Sequence, residues 1–208
     1  MSLPGHPAVA YLCLVRRRSR RVLRTKRKLT MTTESSTIPP DDLQRNLALA
    51  RPNEDQTLPH IGLAGDTYTI LLTGEDTAGR YCLIDMLVPP GGGPPPHRHD
   101  FEEMFSVIEG EIEVAFRGAK SLLRVGETAN IPANAPHEFH NVSQRPARLL
   151  CICSPAGQEE FFMAVGARVA SRTTPPPKLD GPAQATQKVK IEALAPQYRT
   201  ELLPPKSE

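Results

Sequence analysis

"GGGPPPHRHDFEEMFSVIEG", residues 91–110, is the stretch whose reading decides the fold. It puts two histidines and two glutamates within seven residues, in a chain with six histidines among 208 residues. On an extended strand, alternate side chains share a face. His97 and His99 then point to one side and Arg98 to the other. Glu103 follows His99 by four residues and runs in phase with Phe105 and Val107. The glycines and prolines ahead of His97 give a stiff approach and supply no competing side chains. Two imidazoles on one strand face are poor hydrophobic filling. With a carboxylate they make three ligands of a metal site with borderline-hard character. A fourth ligand must come from another strand. "GETANIPANAPHEFHN", residues 126–141, offers His137, with Phe139 and Asn141 alternating inward and Glu138 and His140 outward. Glu102 has the opposite phase and reads as solvated or bonded to Arg98. His60 and His140 read as surface residues.

The flanking sequence sets the fold class. From about Thr57 onward, short apolar runs such as YTILLTG, RYCLIDMLVPP and ARLLCICSP are split by turn residues. Runs at intervals of roughly 8–12 residues mark an all-β sandwich or barrel. Ile112, Val114 and Phe116 share one face, while Glu111, Glu113 and Arg117 share the other. Hairpin turns are expected at Glu109-Gly110 and Gly118-Ala119. After Pro155 the pattern changes. GQEEFFMAVGARVAS is helical in period, with Phe161, Phe162 and Val165 on one side. A Pro-rich linker follows, then a final helix over QKVKIEALAPQY and an extended end at TELLPP. A short helix is also expected around Asp41–Arg51. The chain thus divides into a basic tail (1–30), a polar arm (31–56), a β domain (57–155) and a helical C-terminal extension (156–208).

Charge separates the first segment from the rest. Residues 16–28 (RRRSRRVLRTKRK) hold nine basic residues, and residues 1–30 hold no acid. From Met31 onward there are 16 basic and 23 acidic residues, a net charge of −7. Residues 1–30 read as a basic disordered tail or a mis-called upstream extension; a transit peptide fits less well. A secretory signal is not expected, because the apolar AVAYLCLV precedes the charges. No apolar stretch is long enough for a membrane helix, so a cytoplasmic protein is expected. An acidic body with no helix-turn-helix pattern is a poor nucleic-acid binder. The four cysteines, Cys13, Cys82, Cys151 and Cys153, show neither a C-x-x-C pair nor a disulfide framework. They read as buried free thiols.

These positions resemble the cupin superfamily, whose small metal-binding members include quercetinase-like proteins. Its first motif, G-x5-H-x-H-x3,4-E-x6-G, is matched by Gly91, His97, His99, Glu103 and Gly110. Its second, G-x5-P-x-G-x2-H-x3-N, is matched by Gly126, Pro132, His137 and Asn141. The one departure is Asn134, where the family has glycine; asparagine also tolerates a left-handed turn. Fifteen residues, 111–125, separate the motifs. The resemblance implies a single-domain β-barrel of the jelly-roll type. It also implies one divalent metal per chain, held by His97, His99, Glu103 and His137, and a homodimer.

Three imidazoles and a carboxylate leave positions open on a six-coordinate ion. Fe, Mn, Ni, Cu or Co suits such a site better than closed structural zinc. The inward neighbours Phe105, Val107, Phe116 and Phe139 serve either as core or as pocket wall. Arg98 and Arg117 fall on outward faces, so a phenolic or otherwise apolar substrate fits better than a di-acid or sugar phosphate. The resemblance to flavonol-cleaving cupins implies a dioxygenase acting on a small aromatic or enolic compound. Glu103 would then serve as both ligand and general base. A metal-dependent isomerase or decarboxylase of a small metabolite, or a metal-dependent ligand-binding module without chemistry, stands as the alternative.

Overall fold

The computed structural model describes residues 38–204. The basic run and the other expectations for residues 1–30 lie outside the described residues. Two antiparallel sheets make the fold. The first carries β1 (His60–Leu63), β2 (Asp66–Leu72), β3 (Cys82–Val88), β5 (Glu102–Glu109), β8 (Thr128–Ile131), β10 (Ala147–Ser154) and the short β11 (Ala167–Arg168), in the order β11-β1-β2-β3-β10-β5-β8. The second carries β4 (His97–His99), β6 (Glu111–Phe116), β7 (Ala119–Arg124), β9 (His137–His140) and β12 (Thr200–Leu202), in the order β12-β4-β9-β6-β7.

The sheets meet through their side chains. Ile84, Met86, Phe105 and Leu149 from the first pack into one core with Ile112, Val114 and Phe139 from the second. Phe105 and Phe139 bridge the layers with ring centroids 5.5 Å apart. This is a jelly-roll arrangement of the expected kind, with no continuous hydrogen-bonded ladder closing the two sheets among the described residues. Each sheet ends in its own edge strands, and side-chain packing replaces ladder hydrogen bonds between the layers.

Turn chemistry departs from the sequence reading at two points: Glu109-Gly110 is a crossing between sheets rather than a hairpin, and the β6–β7 turn is shifted. Gly110 takes φ +73° where the chain leaves β5 for β6 and so changes sheets. The β6–β7 turn is Arg117-Gly118, one residue earlier than expected. Both have positive φ, 50° and 94°, the twist-matched geometry of a two-residue hairpin. Asn134 takes φ +67°, a left-handed conformation that asparagine tolerates better than most residues. No helix forms over Asp41–Arg51. Leu43 and Leu47 are both exposed there, and a helix this short with no buried face is marginal in water.

The C-terminal extension contributes two helices. In α2 (Gln158–Val165), Phe161, Phe162 and Val165 are buried, as their period suggested. A later helix (Gly181–Leu194) begins earlier than expected, because Asp180 caps it by accepting from Ala183 N at 2.9 Å and Pro182 occupies its first turn. With the short α1 (Gly74–Thr77) counted first, it is α3. None of its residues is fully buried. None of these helices is long and apolar enough to cross a membrane.

Candidate metal centre

Four side chains converge between the sheets. His97 and His99 come from β4, His137 from β9 and Glu103 from β5. One ligand atom from each lies within 4.8 Å of every other, and all four residues are buried. His97 and His137 face each other in register across the β4–β9 ladder. Glu103 reaches them from the opposite sheet, with its Oε2 3.1 Å from His137 Nε2 and 3.3 Å from His99 Nε2. The chain breaks at Asp100-Phe101 between β4 and β5. His97, His99 and Glu103 therefore do not share one strand, and the cluster spans the two layers.

The three rings are held alike. His97 Nδ1 lies 2.9 Å from Pro95 O, His99 Nδ1 2.9 Å from Phe101 O, and His137 Nδ1 2.9 Å from Ala135 O. A carbonyl can only accept, so each Nδ1 carries a proton, and each Nε2 is the ring atom that would give its lone pair to a bound cation. His99 also stacks on Phe101, with centroids 3.8 Å apart. Burial, with help from the neighbouring His137, pushes His97 down to about 4, so this imidazole is neutral. Burial alone would raise the pKa of Glu103, but hydrogen bonds from His137 and His99 outweigh it and hold the carboxyl well below its usual range. Burial opposes charge on His137, yet its hydrogen bond to Glu103 and the carboxylate's charge raise its pKa. Neutral imidazoles and an ionised carboxylate are the ligand forms a divalent cation needs. The donor set fits such an ion.

Behind Glu103 lie three buried free thiols, Cys82, Cys151 and Cys153. Cys151 Sγ donates to Glu103 Oε1 at 3.4 Å. Contact with Cys153 favours the Cys151 thiolate, but burial and the Glu103 charge push its pKa up to about 12. Glu103, Cys151 and Cys153 also cluster closely enough to hold an ion, but this group shares Glu103 with the first.

A cavity of about 270 Å³ opens onto His97 and Glu103. Tyr68, Met86 and Phe139 line it from the sheets, and Phe161 and Phe162 from α2. Gln187, Lys188 and Ile191 of α3 lie along it as well.

Residues 84–153 match the family described as Cupin domain. The chain carries a cupin domain. It is 28% identical over 99 residues to the quercetin 2,3-dioxygenase of Bacillus subtilis, covering 47% of this chain and 29% of that protein. It is 33% identical over 100 residues to the polyketide synthase CurC of Streptomyces cyaneus, covering 47% of this chain and 64% of the relative. It therefore spans less than two thirds of either curated relative's length. Among solved structures, the polyketide cyclase RemF from Streptomyces resistomycificus is 21% identical, with a TM-score of 0.47 over 72% of this chain and 99% of RemF.

Within the cupin domain, the four ligand-type residues singled out in the sequence come together. The four inward neighbours do not act alike. Phe139 lines the cavity, whereas Phe105 and Val107 are sealed in the core beside it. Phe116 sits near the hairpin, half-buried, with the Arg117 guanidinium 4.7 Å above its ring. These three do not line the cavity. Glu102 is not bonded to Arg98. It accepts from Asn130 Nδ2 at 2.9 Å and Ala133 N at 3.1 Å, while Arg98 pairs with Glu201 on β12. His60 is buried rather than on the surface, and its Nδ1 lies 2.8 Å from Thr69 Oγ1 across the β1–β2 ladder. Asn141 anchors backbone by donating to Val88 O and Arg145 O. The motifs said nothing of Tyr68, Gln158, Phe161 and Phe162, which also line the cavity. The helical period of Phe161 and Phe162 was their only signal.

Proposed function

We propose that this chain is a metal-dependent oxidoreductase, a dioxygenase acting on a small aromatic or enolic compound. The observation that carries the reading is the three-histidine, one-glutamate cluster opening onto an apolar, aromatic-walled cavity. When bound, a redox-active divalent ion (Fe, Mn, Ni, Cu or Co rather than Zn) would supply Lewis acidity and redox chemistry toward O2. His97, His99 and His137 would hold it through Nε2, and Glu103 through a carboxylate oxygen. Glu103 is the group that takes the proton from a substrate hydroxyl, at Oε2. Tyr68, Phe139, Phe161 and Phe162 position the ring and exclude water. Lys188, the one basic residue on the cavity wall, is largely solvent-exposed. That favours a phenol or enol over a di-acid or sugar phosphate. The relation to the Bacillus subtilis quercetin 2,3-dioxygenase is in keeping with this reading.

Elemental analysis of untagged protein, purified without added metal or chelator, is the first test. Near one redox-active metal per chain, with O2 uptake on adding a flavonol or catechol, is the expected result. Stoichiometric zinc without O2 uptake would overturn the dioxygenase reading. A second reading, a metal-dependent isomerase, decarboxylase or related cupin enzyme without O2, is favoured by the amides of Gln158, Gln184 and Gln187 along the cavity. It predicts turnover under nitrogen. The same proposal carries a homodimer, seen as twice the 22.8 kDa chain mass in light scattering.

A further inference from the structure

One buried polar side chain on the cavity wall lacks a partner. Gln158, the first residue of α2, is 5% exposed, and its Oε1 makes no hydrogen bond among the described residues. A buried polar atom left unpaired keeps its desolvation cost without compensation. The start of α2 gives it no structural task. The next residue, Glu159, spends its carboxylate there, with Oε1 accepting from Gly74 N at 2.7 Å and Oε2 from Gly157 N at 2.8 Å. The cavity around Gln158 is otherwise mainly apolar, with Leu63, Met86, Phe139, Phe161 and Phe162 on its walls. A buried acceptor left unpaired beside such walls is a recognition group, because a ligand that pairs with it removes the desolvation cost and a ligand that cannot leaves that cost in place.

We infer that Gln158 orients the occupant of this cavity, its Oε1 accepting a hydrogen bond from a hydroxyl on a flat aromatic ligand of about two fused rings. The inference rests on the substrate-pocket reading above and narrows its substrate class. The size follows from volume. A dry cavity of about 150 Å³ takes up benzene, so the 270 Å³ here admits a bicyclic system. Polar substituents on the ligand meet Gln184, Gln187 and Lys188 of α3. Gln158 is a specificity residue in this scheme and takes no part in proton transfer.

The test is anaerobic calorimetry with 2-naphthol, 2-methoxynaphthalene and naphthalene on the protein as purified. Wild type is expected to bind 2-naphthol about 10- to 100-fold more tightly than 2-methoxynaphthalene. Gln158→Met keeps the side-chain length and loses the acceptor; Gln158→Leu is the second variant should the first misfold. Either is expected to lose most of the hydroxyl preference while keeping its metal content and its affinity for naphthalene. A preference that survives in a folded variant overturns the inference, since the hydroxyl is then read elsewhere, at Glu103 or the metal. Absence of binding or of preference in wild type overturns it too. The result stands apart from the dioxygenase reading. A Gln158-dependent preference without O2 uptake keeps this inference and removes the oxidation chemistry. O2 uptake with no Gln158 dependence does the reverse.

Discussion

At the scale of single residues, the centre is defined by hydrogen bonds to backbone. Each ligand imidazole gives its Nδ1 proton to a carbonyl two residues away, so the backbone conformation fixes both tautomer and aim. His99→Ala or His137→Ala is expected to lower metal content by about 10-fold or more, read by elemental analysis. Full occupancy in either variant would mean that the metal sits elsewhere. Asp66 shows a second buried carboxyl with a different fate. Its Oδ2 accepts from Tyr68 OH at 3.1 Å, its Oδ1 has no hydrogen-bond partner within 3.5 Å among the described residues, and burial lifts its pKa from 3.8 to about 7 against the opposing pull of Tyr68 and the Gly93 backbone. The folded state therefore holds this proton more tightly than the unfolded chain does. The resulting stability is fully present below pH 3.8 and is lost as pH rises through about 7. Thermal melts of Asp66→Asn are expected to show a smaller drop in Tm from pH 5 to pH 8 than wild type. An unchanged pH slope would place the Asp66 carboxyl back in the ordinary range.

At the scale of elements, the glycine-rich run before β4 does more than stiffen the approach. Gly93 lies against the backbone of β9 at φ +129°, and a Cβ there would stand 2.0 Å from Phe139 O. The contact ties the entry to β4 to the strand that carries His137. Gly93→Ala must push β9 away or strain the backbone. It is expected to destabilise the protein by about 2 kcal/mol or more and to weaken metal retention, measured by denaturant melts and chelator competition. A melt indistinguishable from wild type would show that β9 yields freely. The pairing of β5 with β10 and β8 is the counterpart on the other layer. It sets Glu103 opposite Cys153 on one side and Ile131 on the other, so the carboxylate projects from a strand paired on both sides.

At the scale of the whole molecule, the chain's last described strand returns to brace its most important short one. The three-residue β4 pairs with β9 at His97 alone, while β12 pairs with all three of its residues, Thr200 with His99, Glu201 with Arg98 and Leu202 with His97. Arg98 adds an ion pair to Glu201, and Leu203 N donates to Pro96 O at 2.9 Å. Ending the chain after Arg199 would leave β4 with one partner strand. The truncated protein is expected to hold metal about 10-fold more weakly and to melt several degrees lower, in chelator competition and calorimetry. Equal affinity would show that β9 and the Gly93 contact suffice.

The meeting of His97, His99, Glu103 and His137 was legible in the sequence because its signal is local. Strand alternation places His97 with His99 and His137 with Phe139, and the motif spacing carries Glu103 and the left-handed Asn134. The two-layer β architecture was legible for the same reason, through short runs punctuated by turns. The cavity was not. Phe105, Val107 and Phe139 all have the right phase to face inward, yet only Phe139 meets the cavity, since which inward residue reaches open space depends on the opposite sheet. The buried His60, the pairing of β12 with β4, and the unpartnered Gln158 on a helix outside both motifs are likewise long-range outcomes. Alternation and spacing act over a few residues and fix which way a side chain points. What it then meets is set by packing between segments more than a hundred residues apart, such as Arg98 and Glu201, and that only the assembled layers decide.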